Sequence, residues 1–190
     1  MNDLKLFIQI PFLISITACS SASTPNISQE PKQSVIQIQK ASAKITCQDL
    51  QNPAYQQAIV TAINEIRRQP RQCGQRHFPT APPLIWNNQL YQSAFAHTKD
   101  MTEHNFLGHV SSTGLDLKAR LKLYQFKGRG GGENVAHGQK DLNEVIASWL
   151  TSPVHCSNIM QPKFTDYAIA CAPDQSAQQR NYWTQQFGVR

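Results

Sequence analysis

The sequence predicts an α+β fold, and three observations carry that prediction. Four segments repeat apolar residues at helical spacing, whereas the end of the chain switches to two short stretches of strand character. Helices precede and separate the extended stretches without a β-α-β rhythm, so a doubly wound parallel sheet is excluded. About 145 residues follow the first forty-six, enough to bury one core. With no internal repeat and no second shift in composition, they make one domain.

In chain order, residues 1–18 have the layout of a lipoprotein signal peptide. Lys5 precedes an apolar run that is shorter than the roughly 20 residues a membrane span needs, and the run ends in Ile16-Thr17-Ala18-Cys19. Small residues before a cysteine resemble a lipobox, so Cys19 is expected to be acylated and to become the new N-terminus. Ser20 directly after it favours the outer membrane of a two-membrane bacterium. Residues 19–46 are rich in Ser, Thr, Gln, Pro and Lys and read as a tether, with Val35, Ile36 and Ile38 as a weak strand candidate. The folded domain is expected over 47–190.

Asn52-Pro53 reads as a cap with proline in the first turn of a helix, followed by Tyr55, Ile59, Ile63 and Ile66, with Pro70 as the stop. Pro79, Pro82 and Pro83 mark a loop, and Leu84-Ile85-Trp86 re-enters the core. Asn87 caps a second helix whose stripe is Leu90, Ala94, His97 and Met101; His97 on that stripe reads as a buried structural histidine. A third helix presents Leu117, Leu121 and Tyr124. Asp141 starts a fourth, with Glu144 as its capping-box partner and Leu142, Val145, Ile146 and Trp149 buried. Residues 167–172 and 182–187 are expected to pair as an antiparallel hairpin.

Between these helices lies Gly130-Gly131-Gly132-Glu133-Asn134-Val135-Ala136, a glycine run leading into an extended segment with one carboxylate. Glycines there permit positive φ or close backbone approach. His109 lies upstream after Gly108, and His155 downstream after Ser152-Pro153-Val154. Each candidate stands next to chain-turning residues, so the three side chains are expected to converge. Two imidazoles and a carboxylate suit a metal, a proton relay or a polar ligand site.

Cys47, Cys73, Cys156 and Cys171 form an even set, which in an exported chain reads as two disulfides. The local pairing, Cys47 with Cys73 and Cys156 with Cys171, is expected. Absence of any C-x-x-C pair argues against a four-thiolate zinc site. The net charge is +6 and the pI about 9.2. Its basic residues, Arg67, Arg68, Arg71, Arg76, Lys118, Arg120, Lys122, Lys127 and Arg129 among them, are scattered without interleaved aromatics, so no nucleic-acid partner is expected. A basic face would suit anionic lipid or a cell-wall polymer.

Ala96-His97, Asp100-Met101, Phe106, His109, Gly114 and Arg120 occur in order. Gly132-Glu133-Asn134-Val135-Ala136, Trp149, Ser152-Pro153, His155, Asn158-Ile159 and Tyr182-Trp183-Thr184-Gln185 follow. Together they resemble the bacterial branch of the CAP superfamily, the cysteine-rich secretory, antigen 5 and pathogenesis-related 1 proteins. The resemblance covers about residues 55–188 and implies a three-layer α-β-α sandwich with a central antiparallel sheet and an open cleft. It also implies a cleft lined by His109, Glu133 and His155, where many relatives add a second acid. That acid falls near Ser152 here, so the sequence departs from the four-residue divalent-metal set.

Three readings of function follow. The first is a membrane-anchored module that binds a lipid, glycan or peptide in the cleft. A divalent ion such as Zn²⁺ would then be held by His109, Glu133 and His155. The second is a hydrolase, either metal-assisted or built from Ser152, a histidine and Glu133 as a Ser-His-Glu triad, although no Gly-x-Ser-x-Gly elbow is present. The third is a structural or adhesive envelope protein.

Overall fold

The computed structural model describes residues 45–175 and 180–190. The signal peptide, Cys19, nearly all of the tether, the candidate strand at 35–38 and part of the 173–181 loop lie outside the described residues. Ordered packing begins before Cys47: Ile45 is buried in the core, Leu142 N–H donates to its carbonyl, and Thr46 bridges to Asp141. The folded part therefore starts at least two residues earlier than the sequence reading placed it.

The elements are α1 (Gln56–Arg67), β1 (Arg71–Cys73), β2 (Arg76–Phe78), β3 (Ile85–Trp86), α2 (Asn88–His104) and α3 (Leu117–Leu123). They continue with β4 (Gly130–His137), α4 (Leu142–Thr151), α5 (Pro153–Met160), β5 (Asp166–Pro173) and β6 (Asn181–Val189). Side chains close the helix starts as their chemistry dictates. Asn87 accepts from Leu90 N–H, Asp116 from Ala119 N–H, and Asp141 from Glu144 N–H. Glu144 completes its cap on Lys140 N–H rather than on Asp141. Asn52-Pro53 opens a short 3₁₀ turn that runs into α1.

The main sheet has the order β3-β5-β6-β4. The β4–β6 and β5–β6 pairs are antiparallel, and the two-residue β3 runs parallel to β5 at one edge. β1 and β2 form a separate small hairpin that the sequence did not announce.

Alternation along the strands gives the sheet two unlike faces. Trp183, Phe187, Tyr167, Ile169 and Cys171 point to one side, where they form a continuous core with Ile59 and Ile63 of α1, Val145 and Trp149 of α4, and Ile159 of α5. On the other side Ala168, Ala170 and Ala172 pair with Gln186, Thr184 and Tyr182, and α2 packs closely over β5 and β6. Helices on both faces of a largely antiparallel sheet make the α-β-α sandwich.

Both disulfides form, but not in the expected pairing. Cys47 is bonded to Cys171 and Cys73 to Cys156, with Cα–Cα distances of 5.2 and 5.5 Å. Proximity in sequence misled because the fold is closed by its ends. The turn at Asp49–Gln51 lies beside β5, and α5 lies against the β1–β2 hairpin. The bridges thus span 124 and 83 residues instead of neighbouring positions.

The glycine run is regular strand, not a turn: positive φ occurs at Gly74, Gly114 and Gly138, and not at 130–132. Its glycines serve close approach. A Cβ at Gly132 would stand 2.6 Å from the Phe164 ring, and one at Gly131 would stand 2.5 Å from the Phe187 carbonyl oxygen.

Candidate functional site

Glu133 sits on edge strand β4, on the α2 side of the sheet, and its side chain is 2% exposed. A buried carboxylate costs several kcal/mol unless it is compensated, and here three neighbours do so. Arg120 Nη2 donates to Oε2 at 2.5 Å, and Gln186 Nε2, its cross-strand partner on β6, donates to Oε2 at 2.9 Å. His109 Nδ1 meets Oε1 at 3.0 Å. Burial alone would raise the pKa of Glu133. The His109 hydrogen bond and the Arg120 charge outweigh it and hold the carboxyl below its ordinary range.

Arg120 is the residue that assembles the site. It is 3% exposed, and its Nη1 also donates to the carbonyls of His109 and Leu115 at 2.8 and 2.9 Å. One guanidinium thus fastens the loop that carries His109 onto the carboxylate of β4, with its planar fork of donors. Two residues of α2 hold the same loop. His97 Nε2–H donates to the Gly108 carbonyl at 2.8 Å, and Asp100 accepts from Ser112 N–H at 2.8 Å and from the Ser112 hydroxyl. His97 is buried, as the sequence predicts. Burial lowers its basicity, so it stands neutral 3.9 Å from Glu133 Oε1 and supports the site without an ion pair.

His109 differs from His97 in exposure: 56% of its side chain is open. Because a carboxylate can only accept, the neutral ring donates Nδ1–H to Glu133 and leaves Nε2 without a protein partner among the described residues. The Glu133 hydrogen bond raises its basicity.

His155 opens α5, one layer outward from the β4 edge. Asn158 Nδ2 of the same helix donates to the Glu133 carbonyl at 3.1 Å and to Asn134 Oδ1 at 2.8 Å. Asn134 Nδ2 in turn donates to the His155 carbonyl at 3.2 Å and to Gln185 Oε1 at 2.8 Å. These amides cover the otherwise free edge of β4 and set the position of α5. The half-buried His155 ring makes no hydrogen bond among the described residues. Burial lowers its basicity, and the charge of His109 lowers it further.

The expected trio is therefore assembled in part: His109 and Glu133 are bonded, and His155 has no direct bond to either among the described residues. It is not a metal set. Among the described residues no three His, Cys, Asp or Glu side chains are placed to hold an ion. All three bonds to Glu133 come from protein groups, one of them a guanidinium cation. The residues do not fit Zn²⁺ or another divalent ion, and no metal-assisted step is derived.

The triad fails on geometry as well. Ser152 holds the N-cap position of α5 without a side-chain capping bond and, among the described residues, bonds to neither histidine, and Cys156 is consumed in a disulfide.

Arg120, Gln186, Asn158 and Asp100 were not singled out by the sequence as site residues. Only Arg120 carried a signal, as a cation thirteen residues before an acid that must be buried.

Fold and site together define an α+β sandwich with a bonded histidine–glutamate pair at the edge strand of its sheet. The chain belongs to the CAP family, the cysteine-rich secretory protein family, whose profile matches residues 60–187.

Among relatives, YkwD of Bacillus subtilis is 31% identical over 134 residues, covering 70% of this chain and 47% of its own length. A membrane protein of the same organism, YlbC, is 30% identical over 104 residues, covering 55% of this chain and 28% of its own length. The chain thus spans half or less of the relatives it matches. Among solved structures, an extracellular protein containing an SCP domain from Bacillus anthracis superposes with a TM-score of 0.59. It is 26% identical and covers 77% of this chain and 44% of its own. An outer surface protein from Borrelia burgdorferi gives 0.58 at 19% identity, covering 73% and 94%, which speaks to the fold alone.

Proposed function

We propose that this CAP domain is an exported binding module, anchored through an acylated Cys19 at the outer membrane, that takes a lipid, glycan or peptide across His109 and His155. The observation that carries the reading is the division of labour around Glu133. Its carboxylate is engaged by Arg120 and Gln186, so it orients His109 and is not free to abstract a proton. That leaves two accessible imidazoles on a rigid frame and no nucleophile bonded to either, an arrangement suited to recognition rather than bond cleavage.

Export is supported by two disulfides, which persist in oxidising compartments. The extracellular neighbour from Bacillus anthracis agrees with it. Among the described residues no helix is long and apolar enough to cross a membrane. Attachment is assigned to the lipid on Cys19 and the 19–46 tether on the strength of the Ile16-Thr17-Ala18-Cys19 run.

Native mass spectrometry of the full protein released from its own envelope tests both parts. A diacyl mass on Cys19 and a co-purifying adduct that His109→Ala and His155→Ala lose are expected. An unmodified Cys19 or free Ser20 terminus would sink the anchor. An adduct retained by both variants, or none in the wild type, would sink the cleft reading.

A further inference from the structure

We infer that the outer face of α3 and the segment after it form a docking surface for an anionic phospholipid bilayer. This inference does not rest on the cleft reading. From Leu117 to Gly132 the chain carries five basic residues and no acid. The helix sorts them by side: Arg120 and Leu121 turn inward, Arg120 to Glu133, while Lys118, Lys122 and Leu123 turn out to solvent. Lys127 and Arg129 extend the same exposed stretch. Arg129 is pinned to the end of the sheet, its N–H on the Val189 carbonyl at 2.7 Å and its guanidinium on the Arg190 carbonyl at 2.6 Å.

As plain solvated surface this patch is poorly composed. Lys118 and Lys122 stand one helical turn apart, a like-charge pair that weakens an isolated helix. Leu123, at 62% exposure, leaves a large apolar side chain in water beside them. Against an anionic headgroup layer both defects become contacts: the ammonium groups reach phosphates and the leucine enters the acyl boundary. That pairing of cations with an exposed leucine favours a bilayer over a soluble polyanion, which would use the charges alone. Lying on the back of the helix that locks His109 and Glu133, the docked face would hold the cleft at a set distance from the membrane.

The test uses the chain from residue 19 with Cys19→Ser, so that no acyl group contributes, and the fold of each variant is checked by disulfide mapping and circular dichroism. Sedimentation with phosphatidylglycerol-rich and with pure phosphatidylcholine vesicles is the readout. The wild type is expected to partition to the anionic vesicles and to come off as salt is raised. Each basic residue near such a surface is worth about fivefold, so Lys118→Gln with Lys122→Gln should lower partitioning about 25-fold. Leu123→Gln should lower it further. Equal partitioning to both lipids, or double-lysine variants that bind like wild type, would overturn the proposal. So would lysine variants that lose binding while Leu123→Gln does not, because that pattern assigns the surface to a soluble polyanion.

Discussion

The two faces of the central sheet are stabilised by different physics. On one, Trp183, Phe187, Tyr167 and Ile169 pack against α1, α4 and α5, and both disulfides lie within the same cluster. On the other, Thr98 donates to Thr184, Gln186 and Arg120 converge on Glu133, and small alanines let α2 approach. The apolar face gains from area removed from water and is indifferent to direction. The polar face depends on the direction of its hydrogen bonds, since removing one partner from a buried network is costly. The His109–Glu133 pair sits where the constraint is directional, on the polar face at the β4 edge.

Breaking the apolar side should have the largest effect. The two bridges close 124- and 83-residue spans, and the chain-entropy relation assigns about 4–5 kcal/mol to loops of that length. Cys73→Ala with Cys156→Ala should lower stability by that order in denaturant unfolding, with the Cys47–Cys171 bridge intact. A loss below about 1 kcal/mol would show that packing alone holds this face.

On the polar side Arg120→Met should cost about 3–5 kcal/mol, because it leaves Glu133 charged and buried without its cation. The distinguishing result is rescue. Adding Glu133→Gln removes the stranded charge and should recover much of the loss, whereas no second substitution mends a missing disulfide. Equal instability of the single and double variants would mean Arg120 acts through packing and not through charge.

The same contrast explains what the sequence made legible. Helix caps at Asn87 and Asp141 and the period of α1, α2 and α4 are local properties and were readable. Both long C-terminal strands were found to within two residues, as Asp166–Pro173 and Asn181–Val189. The β1–β2 hairpin escaped because Arg71, Gln72, Arg76 and His77 show no apolar alternation. The disulfide pairing and the role of Arg120 escaped for a deeper reason. Each is defined by a partner on another element, and no local pattern encodes which cysteine or which carboxylate that will be. The α2–α3 loop was read as turn-rich, yet its anchorage on His97, Asp100 and Arg120 exists only in three dimensions.

The pH dependence sharpens the polar side further. Glu133 is lowered from 4.5, so its contribution is present above that value and fades as pH falls through its folded one. His109 is raised from 6.5, so its contribution is complete below 6.5 and fades as pH rises through its folded value. Their pairing therefore stabilises most between about 4.5 and 6.5. Buried neutral His97, lowered from 6.5, opposes this by losing stability as pH falls below 6.5. In Glu133→Gln the loss on the alkaline side should vanish from unfolding curves recorded across pH. The His109 ring, followed by NMR, should titrate at lower pH. An unmoved His109 would break the link between the two residues.

The smallest effect is expected at His155, and it decides whether the cleft is one site. Its ring makes no hydrogen bond among the described residues, so His155→Ala should change stability by only about 0.5 kcal/mol, as for substitutions outside buried networks. Its titration is the informative quantity. Burial holds the imidazole below 6.5, and the charge of His109 pushes it lower still. Replacing His109 with alanine removes the second cause and leaves the first, so the His155 resonance should titrate at higher pH yet stay below 6.5. The reverse perturbation on the apolar face, Ile159→Val, leaves both charges in place and should not move it beyond a slight change in burial. If His155 titrates identically with and without His109, the two rings do not sense one another. A ligand bridging them would then have to span separate surfaces, and loss of its adduct in both alanine variants would need another cause.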